Sequence, residues 1–535
     1  MPQIDRKIRF AILAALVILG GWLRFAAIDF GLPDKFRPDE EALVDKALGF
    51  DHDWNPRLIT AYPAAQFYLV HAVLRSYAIA TSAGNDLHAA YSADSEAHAY
   101  LIGREVSATM GTATIAAVYW AAEGAFGPIA ALASAAIVAV AGIHVRESKF
   151  AKLEVPASLW LTLAIGMTLR VARRGRSLDY AGAGFFTGLA TATHYLSGIA
   201  VFGVLAAHLE ARHRENQTLL TALADRRIYL AGCVTLFTFF CATPYFFLDP
   251  ALTAQNYEFA KRVARFFLPA ARGWWYLLFR LMPDTSGVGL LIFLLLALAW
   301  VIVHPRIGTL SLLALIATSF LSLTVGEPSL MYRFAISPLL VMAFLGGVLA
   351  ADLTELASDR LGARWGIPTA VALFALLLGP SLVRDLQLNR LLRQTDTRAL
   401  ARVWIQKNIP PETAIAVTNY DPLWRPYGKP QLPGSYKFVS LENLESHQAG
   451  RVSWVLSDSL PGIMHSPGPT PAEQKSLDEG ATLVLDINPI KEGTPAPVFD
   501  TNDAFYAPYQ HISSMMRPGP RIRIWKLKSS PQSAR

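Results

Sequence analysis

"FRPDEEALVDKAL" occupies residues 36–48, directly after an apolar stretch long enough to cross a membrane. A cluster of Asp39, Glu40 and Glu41 at a bilayer exit has two readings. It is either a solvated helix start, where acidic residues behind Pro38 favour the N-terminus, or chemistry held at the lipid surface. Composition is the first guide. Of 535 residues, 53% are hydrophobic and only 17% charged, too few charges for a set of soluble domains of this total length. The apolar residues gather in blocks of roughly 17–22, each able to cross ~30 Å of hydrocarbon. The chain reads as a polytopic α-helical membrane protein.

The net charge of +7 implies no nucleic-acid partner, because the basic residues form short clusters between apolar blocks, where they act as topology signals. Cys233 and Cys241 fall in one apolar block. On a helix they are separated by roughly 12 Å along the axis, which suits neither a disulfide nor a metal site. The N-terminal apolar run reaches about Ala27 without a small-residue cleavage site, so a retained first helix is expected. Apolar blocks near 8–28, 101–122, 129–145, 153–172, 179–194, 196–211, 228–247, 286–304, 307–325, 334–351 and 366–383 predict about 11 spans. The segment "FYLVHAVLRSYAIA" (67–80) is short and carries His71 and Arg75. Parity leaves it out: "RKIR" near the start, "RRGR" at 173–176 and the basic residues of 211–227 share the cytoplasmic side only if an even number of spans separates the first two.

With that parity, residues 29–100 form one long outer loop with the acidic motif and amphipathic helices. Residues 1–383 make a membrane domain. The polar, Pro-rich remainder, 384–535, reads as an extracytoplasmic α/β domain with a helix at "TRALARVWIQKNI" and strands at "AIAVT", "VSWVLS", "TLVLDI" and "IRIWKL".

Several polar residues then meet at one face. Asp39 and Glu40 lie in the first loop, and "HVRESKFAKLEVP" (144–156) brings Lys149, Lys152 and Glu154. His194 lies between two closely spaced helices, and Arg104 and Arg333 lie at outer helix ends. Arginines hold phosphate oxygens by paired hydrogen bonds, and a carboxylate can deprotonate an attacking hydroxyl or amine, a combination suited to a lipid-linked phosphate substrate. Each residue also has a plainer role. The arginines could anchor helix ends at headgroups, His194 could be an interhelical contact, and the lysines could belong to the interface.

Taken in order, "RPDEEALVDKAL", "YPAAQFYLVHAVL", "REVSATMGTATIAAVYWAAEGAFG", "SKFAKLEVPASLW", "GLATATHYLSGIAV", "TPYFFLDP" and "MYRFAISPLL" resemble the GT-C glycosyltransferases. The likeness is to glycosyltransferase family 39, which holds protein O-mannosyltransferases and aminoarabinose transferases of lipid A. "RVWIQKNIPPETAI" and "RPGPRIRIWKL" resemble the tail of its bacterial branch.

The resemblance implies transfer of a sugar from a polyprenyl-phosphate carrier to a lipid, glycan or protein acceptor, with inversion, at the outer face of a bacterial cytoplasmic membrane. It implies Asp39 as general base, with Glu40 and Glu154 as further catalytic acids that position the acceptor or a metal. Arg333, Arg104, His194, Tyr62 and Lys149 are the implied substrate contacts. Three departures stand out: Tyr62-Pro63-Ala64 replaces a Lys-Pro-Pro of some members, His194 replaces a lysine, and Glu154 replaces the family's usual Asp, which adds a methylene. The family includes metal-independent members, and Asp39 and Glu154 with a phosphate could hold a divalent cation, so the resemblance leaves a divalent metal open and implies no other cofactor. The alternative is a lipid or sugar transporter, in which intramembrane charges mark a pathway.

Overall fold

A computed structural model describes residues 5–51, 54–55, 62–81, 87–91, 96–266, 273–324, 330–418, 429–441, 452–503 and 505–528. The chain divides into two compact units. One comprises Met1–Ile28 with Asp39–Leu386, the other Asp29–Pro38 with Gln387–Arg535. Ten residues of the expected outer loop thus fold with the C-terminal part of the chain.

The first unit is helical. Each of the eleven apolar blocks falls on a helix, because an apolar run can satisfy its backbone only within itself. The blocks are less uniform than their composition suggests. Block 129–145 breaks into Pro128–Ala139 and Gly142–Glu147, and block 196–211 opens with a 3₁₀ turn, Tyr195–Ile199. Block 286–304 is preceded by a second helical piece, with a 118° bend between Leu277–Ser286 and Val288–Val303. The hinge is Gly287, at φ +84. Four of the described helices are long and apolar enough to cross a membrane, five if the bent pair is one span. The expected eleven crossings are therefore not met on that criterion. Several blocks fold as helices that are too short, such as Pro128–Ala139, or that carry charges, such as Arg104, Glu105 and Glu123 in Glu96–Phe126.

The helices pack through small residues, as membrane helices do when backbones must approach closely. A methyl group on Gly347 would lie 2.4 Å from the carbonyl oxygen of Ala130, and one on Gly184 would lie 2.4 Å from that of Ala231. Helix Ala65–Ala80 buries Phe67, Val70, His71, Leu74 and Ala78, the three- and four-residue spacing of an amphipathic helix.

Hydrogen bonds tie the basic helix ends together. Arg9 pairs with Glu123 at 2.9 Å, Arg173 donates to the carbonyl of Ala125, and Arg227 donates to that of Gly175 at 2.9 Å. Glu210 accepts from the amide of Gly308 at 2.9 Å, and Arg306 pairs with Asp352. The residues of the acidic loop lie at the opposite helix ends. By the positive-inside tendency the basic end is the one expected in the cytoplasm.

The second unit contains a five-stranded mixed sheet of β1 (Ala414–Val417), β2 (Lys437–Ser440), β3 (Val452–Ser459), β4 (Ala481–Ile487) and β5 (Arg521–Leu527), in the order β2-β1-β3-β5-β4. β1 pairs in parallel with β2 and β3; β5 runs antiparallel to β3 and β4. Alternation along the strands makes two faces. Ile415, Val417, Leu456, Ile522 and Ile524 pack on Ala401, Ile405 and Ile409 of helix Thr397–Asn408 and its exit. Ala416, Val455 and Trp525 face Leu477 of helix Pro471–Gly480. The helix and four strands expected from the sequence are present, and β2 is an additional strand.

A reporter fused after residue 392 and active only outside the cytoplasm is expected to be active. Activity of a cytoplasm-only reporter at that position would overturn the assignment of the basic end.

Candidate active site

Asp39 precedes helix Glu40–Leu48 in the left-handed conformation, φ 70 and ψ −10, which aspartate tolerates better than most residues. It makes no side-chain cap bond to its own helix. The carboxylate faces outward, 43% exposed, with Lys152 Nζ 3.0 Å from Oδ2. Glu40 turns the other way. Its two oxygens accept from Arg104 Nε and Nη2 at 2.9 and 2.7 Å, and Oε1 also accepts from the amide of Ala151 at 2.9 Å. Both side chains of this ion pair are fully buried. Arg104 Nη1 reaches the carbonyl of Ile28 at 2.8 Å.

The loop before helix Glu154–Arg174 splits its lysines in the same way. Lys149 is fully buried and donates to the carbonyls of Leu23, Arg24 and Ala26 at 2.6, 3.2 and 2.7 Å. It covers the C-terminal end of helix Arg6–Phe25, where a cation is favoured. Lys152, three residues on, reaches Asp39. Glu154 begins its helix, and its Oε1 lies 2.8 Å from Arg333 Nε. Arg333 Nη1 is 3.6 Å from Asp39 Oδ2. Lys152, Asp39, Arg333 and Glu154 thus form a chain of alternating charge.

Arg333 sits in the 3₁₀ turn Tyr332–Ala335, which is held by a hydrogen bond from the Tyr332 hydroxyl to Asp284 at 2.5 Å. Tyr62 lies against the same guanidinium, and burial raises its phenol above the ordinary value. His194 follows helix Ser177–Thr193, and its ring is 6.5 Å from that of Phe334. Two small cavities meet at Glu154. One is lined by Asp39, Tyr62 and Lys152, the other by His194, Ser197 and Arg333. A larger cavity shares Tyr62 and is lined by Tyr195, Tyr245, Phe246 and Tyr257.

Asp39, Glu154, Arg333, Tyr62 and His194 therefore come together. Arg104 and Lys149 do not line these cavities; their cationic groups are buried against Glu40 and backbone carbonyls respectively. Glu40 is likewise turned inward. Lys152 is the side chain the sequence reading left among interface lysines. The signal was its place two residues before Glu154, but spacing alone could not separate it from Lys149.

Among the described residues no group of three or more His, Cys, Asp or Glu side chains converges as a metal site. Arg333 bridges the two carboxylates that could share a divalent cation, so a cation would have to displace it. The side chains as placed do not fit a resident metal.

Arg104→Ala is expected to leave Glu40 buried and uncompensated, a loss of about 3–5 kcal/mol. The folded yield in detergent should fall sharply, and Arg104→Met combined with Glu40→Gln should recover part of it. Equal yields for the single and double variants would show that the pair does not govern stability.

Residues 100–245, about a quarter of the chain, match the family model described as dolichyl-phosphate-mannose-protein mannosyltransferase. No curated protein matches in sequence. In fold, the chain is similar to ArnT from Cupriavidus metallidurans bound to undecaprenyl phosphate: TM-score 0.54, 13% identity, 97% of this chain and 98% of that one covered. It is also similar to the Archaeoglobus fulgidus oligosaccharyltransferase in the apo form: TM-score 0.51, 15% identity, 85% and 70% covered. The resemblance read from the sequence is met over the second to seventh apolar blocks by the family model and over nearly the whole chain by the fold.

Proposed function

From this fold, we propose that the protein is a membrane glycosyltransferase that moves a sugar from a polyprenyl-phosphate carrier to an acceptor outside the cytoplasm. The observation that carries the reading is the outward-facing Asp39 between the cations Lys152 and Arg333, at the end of the bundle opposite the basic clusters. A carrier keeps its lipid in the bilayer and its sugar at the surface. A reactive carboxylate at a membrane exit is placed for that geometry.

The reaction proposed is a single displacement. The acceptor oxygen or nitrogen attacks the anomeric carbon while its proton passes to Asp39. The bond from that carbon to the phosphate oxygen breaks, and its electron pair leaves on the carrier. The anomeric configuration inverts. One carboxylate suffices, in contrast to the two acids of glycoside hydrolysis, because the leaving phosphate needs no protonation. The carrier gains negative charge as it departs, and Lys152 and Arg333 supply the positive charge that stabilises it. Glu154 orients Arg333 by the ion pair between them. No step passes through a metal.

Removing a general base costs about 10²–10⁴-fold in rate. Asp39→Asn is expected to lower kcat by that factor while the protein still folds and binds undecaprenyl phosphate. Near-normal turnover, with Glu154→Gln inactive instead, would show that another carboxylate is the base. The substrate for the assay follows from mass spectrometry of glycans and lipids in cells with and without the protein.

Arg333→Ala removes a charge-assisted contact of about 1.5–3 kcal/mol, so donor KM should rise roughly ten- to hundredfold. An unchanged KM and kcat would return Arg333 to helix-end anchoring. Treatment with a chelator is expected to leave turnover intact; loss of activity restored by a divalent cation would overturn the metal-free mechanism.

A further inference from the structure

The larger cavity that shares Tyr62 with the candidate site has a different lining. It measures about 420 Å³, within the range of small-molecule sites. Its rings come from three segments of the helical unit: Tyr195 from the 3₁₀ turn Tyr195–Ile199, Tyr245 and Phe246 from helix Tyr245–Leu248, and Tyr257 from helix Pro250–Phe266. The Tyr195 and Phe246 rings lie 6.1 Å apart, and the Thr253 hydroxyl donates to the Phe246 carbonyl at 3.1 Å, which ties the last two helices together. Asn256 lines the same wall as Tyr257. None of the described residues that line the cavity is charged. Charges nearby in sequence are held by other groups: Lys261 by Glu258 at 3.0 Å, and Asp249 by the amide of Leu252 at 3.1 Å and by Asn55 at 3.3 Å. The side-chain amide of Asn256 and the hydroxyls of Tyr195, Tyr245 and Tyr257 meet no hydrogen-bond partner among the described residues.

Aromatic faces beside neutral hydrogen-bonding groups are complementary to a sugar ring. The C–H faces of such a ring are apolar and weakly positive, and they stack on the negative faces of phenol rings. Its hydroxyls donate and accept at the edge, as tyrosine hydroxyls and a carboxamide do. A phosphorylated lipid would lose water in this cavity without meeting a cation, and an isoprenoid tail would leave the amide and the hydroxyls unpaired. An aromatic belt at the membrane surface uses the same residue type, but its rings face lipid and do not enclose a space. Tyr62 belongs both to this cavity and to the one lined by Asp39, Lys152 and Glu154. We propose that the aromatic cavity holds the acceptor and that the acceptor is a neutral glycan. This rests on the glycosyltransferase reading. A hydroxyl of the glycan is then the nucleophile: it attacks the anomeric carbon, its proton passes to Asp39, and the phosphate leaves on the carrier.

Cells that lack the protein supply three acceptor fractions: neutral glycans, phosphorylated lipids and proteins. With the same cells' radiolabelled polyprenyl-phosphate sugars as donor, the full-length enzyme is expected to label the neutral glycans. Label in the phosphorylated lipids or the proteins instead would overturn the proposal, whereas no label in any fraction would overturn the glycosyltransferase reading itself. Asn256→Ala and Tyr257→Ala each remove one neutral contact, so KM for the neutral glycan fraction should rise roughly three- to tenfold while donor KM changes by less than about twofold. Tyr257→Phe, which keeps the ring, should lose less than Tyr257→Ala. Tyr229→Ala, an exposed aromatic outside the cavity, should leave both constants unchanged. Folding is followed by monodisperse elution and by binding of undecaprenyl phosphate. Folded Asn256→Ala and Tyr257→Ala enzymes with unaltered acceptor KM would overturn the assignment of the cavity, as would a rise in donor KM in its place, which would put the donor's own sugar there. If Tyr257→Ala does not fold, Asn256→Ala and Tyr257→Phe decide by the same criteria.

Discussion

The ion pair between Glu40 and Arg104 fixes the first loop to the helical bundle. Glu40 opens one helix, Arg104 lies within another, and the amide of Ala151 joins the loop that precedes a third. Moving two charges out of water is costly, and such a pair adds little net stability over a well-packed apolar one. Its value is registration. A carboxylate accepting two guanidinium bonds and an amide has one favourable arrangement, so helix Glu40–Leu48 can begin at only one place and angle. With Glu40 turned inward, the residue before it turns outward, and Asp39 meets Lys152 and Arg333.

The second constraint is charge balance. Lys152, Asp39, Arg333 and Glu154 neutralise one another before any substrate arrives. In the proposed reaction an anionic donor enters by exchanging partners: a phosphate oxygen takes a cation from a carboxylate, and Asp39 is released toward the acceptor. Such a site favours the charge distribution that develops as the carrier leaves, without accumulating a large unpaired charge in the resting protein.

The helical blocks were legible because continuous apolarity is a local signal. The acidic loop was legible because Asp39 and Glu40 stand out against it. Less visible were features set by distant partners. Asp39 and Glu40 are adjacent and chemically alike, and only Arg104 and Ala151 decide that one is buried. Lys149 and Lys152 are three residues apart, and only the carbonyls at the end of helix Arg6–Phe25 decide which points away. Strand β2, Lys437–Ser440, is as short as β1 but holds only two apolar residues, Phe438 and Val439, and none fully buried, so it lacks the apolar run that marked β1. The union of residues 29–38 with the C-terminal unit depends on Asp503 and Arg402, which no local pattern links to Asp34 or Arg37.

The left-handed backbone at residue 39 limits what evolution can place there. Glycine, asparagine and aspartate occupy this conformation at low cost, whereas glutamate meets the steric penalty of other L-residues, on the order of 1–2 kcal/mol. Of the two encoded carboxylic acids, the fold therefore accepts the shorter. A side chain with one fewer rotatable bond also sweeps a smaller volume. The position thus selects an acid whose reach is fixed largely by the backbone, and the proposed chemistry inherits its precision from a dihedral angle.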